Sequence, residues 1–120
     1  MSKTVVDAAT LAAAAGNVQM LGRLYNKAET RVQKGRILGL IAVEYALRRD
    51  RPNKKTLDIA LKILNMGRRL LIDEWHPLCQ ALMQERIIRR ACVDRKFAEG
   101  LIVGRAKQLR ARNRIHTEGE

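Results

Sequence analysis

Hydrophobic positions along the chain recur at helical spacing, and breaks in the pattern divide them into about five helices. Val5, Val6, Ala9 and the alanine run 12–15 predict a short first helix, with Thr4-Val5-Val6-Asp7 spaced like a capping box. Gly16-Asn17 punctuates it, because glycine suits a C-cap and asparagine an N-cap. From there Val18, Leu21, Tyr25, Ala28 and Val32 follow one another at i+3 and i+4, a helical stripe widened by Met20 and Leu24. Gln33-Lys34-Gly35-Arg36 either interrupts this helix or only weakens it. Ile37, Leu38, Leu40, Ile41, Val43, Tyr45 and Leu47 then leave almost no polar face, which predicts a helix buried on most sides.

The clearest break lies in Arg48-Arg49-Asp50-Arg51-Pro52-Asn53, since Pro52 biases Arg51 out of the α region. A third helix starts near Asn53 or Lys54, with Leu57, Ala60, Leu61, Leu64 and Leu71 on one face. Gly67 lies on that face and either lets another helix approach or ends this one. Trp75-His76-Pro77 marks the next break, with Pro77 suited to the first turn of a fourth helix. Its apolar stripe reads Leu78, Ala81, Leu82, Ile88 and Cys92. Asp94 suits the cap of a fifth helix, which turns Phe97, Ala98, Leu101, Ile102 and Leu109 inward. Gly100 and Gly104, four residues apart, suggest a close-packing groove. The expected fold is all-α: a single-domain bundle of about five helices over 1–112, then a frayed tail over 113–120.

Composition narrows this picture. Two prolines in 120 residues and an abundance of helix formers favour helices over strands. The hydrophobic fraction of 47% is too high for a disordered basic tail. With only Tyr25, Tyr45, Trp75 and Phe97 as aromatics, the core has to be built from Leu, Ile, Val, Ala and Met. No apolar run approaches the ~20 residues of a spanning helix, and the Ala-rich start is short and carries Asp7. A cytoplasmic protein with no membrane association is expected. Two cysteines, Cys79 and Cys92, are expected as free thiols.

Charge changes the picture most. Lys+Arg number 24 against 12 Asp+Glu, a formal net charge of +12. Residues 77–112 alone hold nine Lys/Arg against Glu85, Asp94 and Glu99. Such a surplus repels itself in a compact fold, and a polyanion compensates it. Nucleic acid is the leading partner; an anionic membrane surface, an acidic protein and plain solvation are the alternatives. Arg86, Arg89, Arg90, Lys96, Arg105, Lys107, Arg110 and Arg112 are the candidate nucleic-acid-binding residues. Arg86 and Arg90 stand i, i+4, and guanidinium groups grip phosphates in pairs of hydrogen bonds. Few Asn, Gln or aromatic side chains lie among them, so the expected contact is to the backbone and largely independent of sequence.

Chemistry beyond binding has little to stand on. Ser2 is the only serine, and there is no phosphate loop, His-Glu-x-x-His or paired-carboxylate arrangement. His76, Cys79, Cys92 and His116 lack a zinc-finger spacing as a set. The expectation is a chain that is not an enzyme and takes no metal and no cofactor.

Three segments carry a family resemblance. Gln19-Met20-Leu21-Gly22-Arg23-Leu24-Tyr25, the aliphatic helix from Leu57 to Leu64, and Phe97-Ala98-Glu99-Gly100-Leu101-Ile102-Val103-Gly104-Arg105 resemble, in that order, the small-subunit family of CRISPR effector complexes. The resemblance implies an all-helical, basic, non-catalytic small subunit that lines the groove holding a nucleic-acid strand, beside larger protein subunits of a ribonucleoprotein. A different class of reading, a plasmid- or phage-encoded homodimeric DNA-binding transcriptional regulator, pairs residues 53–71 with 77–92 as a helix-turn-helix-like unit.

Overall fold

The computed structural model describes residues 8–13 and 15–118, with side chains placed through Arg112. Among them there is no strand. A short helical stretch over 8–13 precedes α1 (Val18–Lys27), α2 (Arg31–Leu47), α3 (Lys54–Leu70), α4 (Trp75–Ala91) and α5 (Arg95–Glu118). The expected capping box at Thr4–Asp7 lies outside the described residues.

Local chemistry sets most boundaries. Gly16 takes φ +73°. Its N–H donates to Ala13 O at 2.9 Å and the Asn17 N–H to Ala12 O at 2.8 Å, a Schellman arrangement that satisfies the last carbonyls of the first stretch. Asn17 then accepts from Met20 N and starts α1. Of the two readings of residues 33–36, the helix is not interrupted there; the break lies earlier, at residues 28–30. Thr30 Oγ1 accepts from Gln33 N at 3.1 Å, and Gln33 Oε1 accepts from Thr30 N and Glu29 N at 3.2 and 2.8 Å. This reciprocal cap ends one helix and begins another, so α2 runs through Gly35 without a break. Asn53 caps α3 through Thr56 N, and Asp94 caps α5 through Phe97 N at 3.1 Å. Pro77 sits in the first turn of α4, where its missing N–H costs no helical bond. Helical backbone continues past Arg112 to Glu118, where a frayed tail was expected; no glycine or proline interrupts residues 105–118.

All other described helices are arranged around α2, as its all-round apolar pattern predicts. Its N-terminal half joins a cluster with Ala9, Ala13, Leu21 and Leu24. Its C-terminal half, through Ala42, Val43, Ala46 and Leu47, packs with Ala60, Leu64, Ala81, Ile88 and Ala98. Among the described residues, ten of the 19 buried hydrophobic side chains are alanines, so the helices are drawn together by small side chains. No methionine is among those buried residues, although Met was expected in the core; Met66 and Met83 are exposed. Gly67 resolves to the first of its two readings. A Cβ there would lie 2.7 Å from the carbonyl oxygen of Gly35, so the α2–α3 crossing needs glycine on both sides.

Two expected faces turn out differently. On α4 the inward residues are Pro77, Ala81, Ile88 and Ala91, while Leu82 is 57% exposed. Ala81 rather than its neighbour faces the core because α4 lies close against α2 and α3. On α5, Gly100 and Gly104 are exposed, with nothing among the described residues within 4 Å of a Cβ at either, so they form no groove with the described bundle.

Candidate nucleic-acid interface

The basic residues of α4 and α5 are positioned by the faces those helices bury. Because Pro77, Ala81, Ile88 and Ala91 face inward, the stripe Trp75, Leu82, Arg86 and Arg89 faces outward, with helical spacing throughout. All four are exposed. On α5, burial of Ala98 turns out Lys96, Gly100, Val103, Lys107 and Arg110, again at helical spacing. The tight turn through Cys92 and Val93 places the end of one stripe beside the start of the other.

These cations differ in how far they are already engaged. Arg86, Lys96, Lys107, Arg110 and Arg112 make no ion pair among the described residues. Arg89 Nε lies 3.4 Å from Glu85 Oε2, with more than half the Arg89 side chain in solvent. Arg90 stacks over the Phe97 ring at 4.3 Å and stands 3.8 Å from Asp94. Its stem is thus packed and its charge still presented outward. Arg112 is exposed at the edge of a cavity of about 410 Å³, together with Arg105, Gln108 and Leu109.

Arg105 stands apart from the other seven. Its Nη1 and Nη2 donate to Glu44 Oε2 and Oε1, each at 2.8 Å, and Arg48 Nε donates to the same carboxylate at 3.2 Å. The Glu44 side chain is fully buried and Arg105 is 22% exposed. The guanidinium fork that would grip a phosphate is already filled by a carboxylate. Arg105 therefore ties α5 to α2 and leaves the interface to the other seven. Glu44 gave a legible signal: a lone acid in the apolar run 37–47 has to find a cation once buried.

A further basic segment lies outside the residues that charge density along the sequence singles out. Arg95 Nη1 donates to Leu47 O at 2.9 Å, which holds the first turn of α5 against the end of α2. Arg49, Arg51, Lys54 and Lys55 lie exposed in the turn that follows α2 and at the start of α3. Arg49 stacks over Tyr45 at 4.0 Å. The charged end of α4, the start of α5 and this turn thereby come to one region of the molecule.

Two ionisable groups near these faces depart from their ordinary values. Burial acts to raise the Glu85 carboxyl, but the guanidinium of Arg68 close beside it and the hydrogen bond and charge of Arg89 outweigh it and hold it below its ordinary range. Burial pushes the Cys92 thiol up, away from the thiolate form. Cys79 and Cys92 are both free, and among the described residues no three His, Cys, Asp or Glu side chains gather as a metal site. No described helix is long and apolar enough to cross a membrane. Comparison with protein-family models, with curated proteins and with solved structures finds no match.

Proposed function

We propose that this chain is a non-catalytic nucleic-acid-binding subunit that holds the phosphate backbone through the outer faces of α4 and α5. One observation carries the reading: Arg86, Lys96, Lys107, Arg110 and Arg112 are exposed with no acidic partner among the described residues. Unpaired guanidinium and ammonium groups spaced along two helices suit successive phosphates of a polyanion. Arg89 and Arg90 add to this set, since both pairs are solvent-exposed and worth little to give up. Placement as a small subunit of a CRISPR-type ribonucleoprotein rests on the sequence resemblance. Trp75, Leu82 and Met83, exposed on the other half of α4, fit a protein neighbour in such an assembly.

Charge reversal tests the interface. Arg86→Glu, Arg89→Glu and Arg90→Glu together should abolish binding to an unstructured oligonucleotide in a fluorescence-anisotropy titration. Helical content should be unchanged, and the thermal midpoint should fall modestly, through loss of the Arg90–Phe97 contact and replacement of the exposed Arg89–Glu85 and Arg90–Asp94 pairs by like charges. Reversal of Lys54 and Lys55 should weaken binding less. A triple variant that binds like the parent overturns the reading. A stronger lesion at Lys54 and Lys55 moves the interface to the turn before α3.

A further inference from the structure

The structure assigns a small-molecule site for an aliphatic monocarboxylate to the cavity between α2, α3 and α4. This cavity has a volume of about 390 Å³, within the range of ligand pockets. Its walls are largely aliphatic, with Leu40, Leu64 and Ile87 among them, and its polar groups are few: chiefly Arg36, Arg68, Gln80 and Gln84.

Arg36 carries the inference. Its Nε is buried and has no hydrogen-bond partner, and the residue makes no ion pair among the described residues. Arg36 as a whole is half-buried, but a buried donor atom left unsatisfied is costly, and a ligand that reaches it removes that cost. Arg68 offers no second free charge, because its Nη2 lies 2.9 Å from Glu85 Oε1, although off the line of a hydrogen bond. Arg89 shares the same carboxylate from outside the cavity, so Arg36 is the one cation of the lining without a carboxylate partner among the described residues. A single free guanidinium matches a monoanion better than a phosphomonoester dianion, and its planar fork matches a carboxylate.

The remaining polar groups fit the same ligand. Gln84 packs its amide against Gly39, in the space a side chain at that position would fill. The side-chain amides of Gln80 and Gln84 make no hydrogen bond among the described residues, so both remain able to donate to a carboxylate oxygen. The aliphatic walls take the hydrocarbon body. This site is separate from the outward faces of α4 and α5 and does not depend on the nucleic-acid reading.

Isothermal titration of the full chain with octanoate, octanol and octyl phosphate tests the assignment. Octanoate should bind saturably, at least ~10-fold more tightly than octanol, since a hydrogen-bonded charge is what distinguishes them. Arg36→Gln should remove that preference, Arg36→Lys should restore part of it, and Gln80→Glu should weaken octanoate by placing a like charge at the mouth. Arg36 and Gln80 make no ion pair, so circular dichroism of these variants should match the parent. Equal affinity for octanoate and octanol overturns the proposal. So does octanoate binding that is indifferent to Arg36→Gln, an absence of saturable heat at millimolar octanoate, or tighter binding of octyl phosphate than of octanoate.

Discussion

Glycines at equivalent-looking places on helices have opposite roles here. At Gly67 an added Cβ meets the backbone of Gly35 at 2.7 Å, and a carbonyl inside a helix cannot move aside as a flexible side chain can. At Gly100 and Gly104 a Cβ meets nothing. Alanine gains ~1 kcal/mol over glycine in a helix interior, while overpacking costs ~1–3 kcal/mol and more when backbone must shift. Gly67→Ala should therefore lower stability by about 1–2 kcal/mol, and Gly100→Ala or Gly104→Ala should raise it by up to ~1 kcal/mol. Thermal midpoints of the three single variants decide this, and a rise for Gly67→Ala would contradict the close α2–α3 crossing.

Between elements, the buried carboxylate of Glu44 is the main polar tie. It joins α2 to α5 across 61 residues of sequence through Arg105, with Arg48 as a second cation. Removing one partner of a buried pair leaves an uncompensated charge and costs ~3–5 kcal/mol, whereas removing an exposed lysine changes stability by about half a kcal/mol or less. Arg105 is partly exposed and Arg48 remains, so Arg105→Ala should fall at the lower end of that range, ~3 kcal/mol. Lys107→Ala, two residues on, should be silent. Urea-unfolding midpoints separate the two, and an Arg105→Ala variant as stable as Lys107→Ala would remove Glu44 from the account. Loss of nucleic-acid binding on replacing Arg105 would accordingly report on α5 docking rather than on a phosphate contact.

At the scale of the molecule, a net charge of +12 on 120 residues acts as a field as well as a set of contacts. Like charges on one small surface repel, and a polyanion or added salt relieves that repulsion. Two salt responses of opposite sign follow. Affinity for nucleic acid should fall with ionic strength, with a log–log slope of about −0.9 per phosphate on a duplex or −0.7 on a single strand. Stability of the free chain should rise modestly over the same range as the repulsion is screened. An anisotropy titration series at increasing salt, paired with thermal melts, measures both. Affinity that stays flat would place the contact elsewhere than on phosphates.

The sequence by itself determined the all-helical class, the central buried helix and most helix ends. These depend on residues within a few positions of one another: Gly16-Asn17, Pro52-Asn53 and Asp94 each act on backbone groups one turn away. The Thr30–Gln33 cap is just as local, though the continuous stripe from Val18 to Val32 hid it and left only residues 33–36 as a candidate break. Charge on the outer faces was legible too, because a helix that buries one stripe has to expose the opposite one. Tertiary structure decided what helical periodicity leaves degenerate. Neighbours such as Ala81 and Leu82 both fit a broad apolar stripe, and only the closeness of α2 and α3 selects the smaller for the core. Gly67 and Gly104 look alike in sequence and differ only in whether another backbone crosses them. Arg105 reads as one more surface cation until Glu44, on another helix, takes its guanidinium. The Arg36 cavity has no local signature at all, since its walls come from three helices that meet only when the chain is folded.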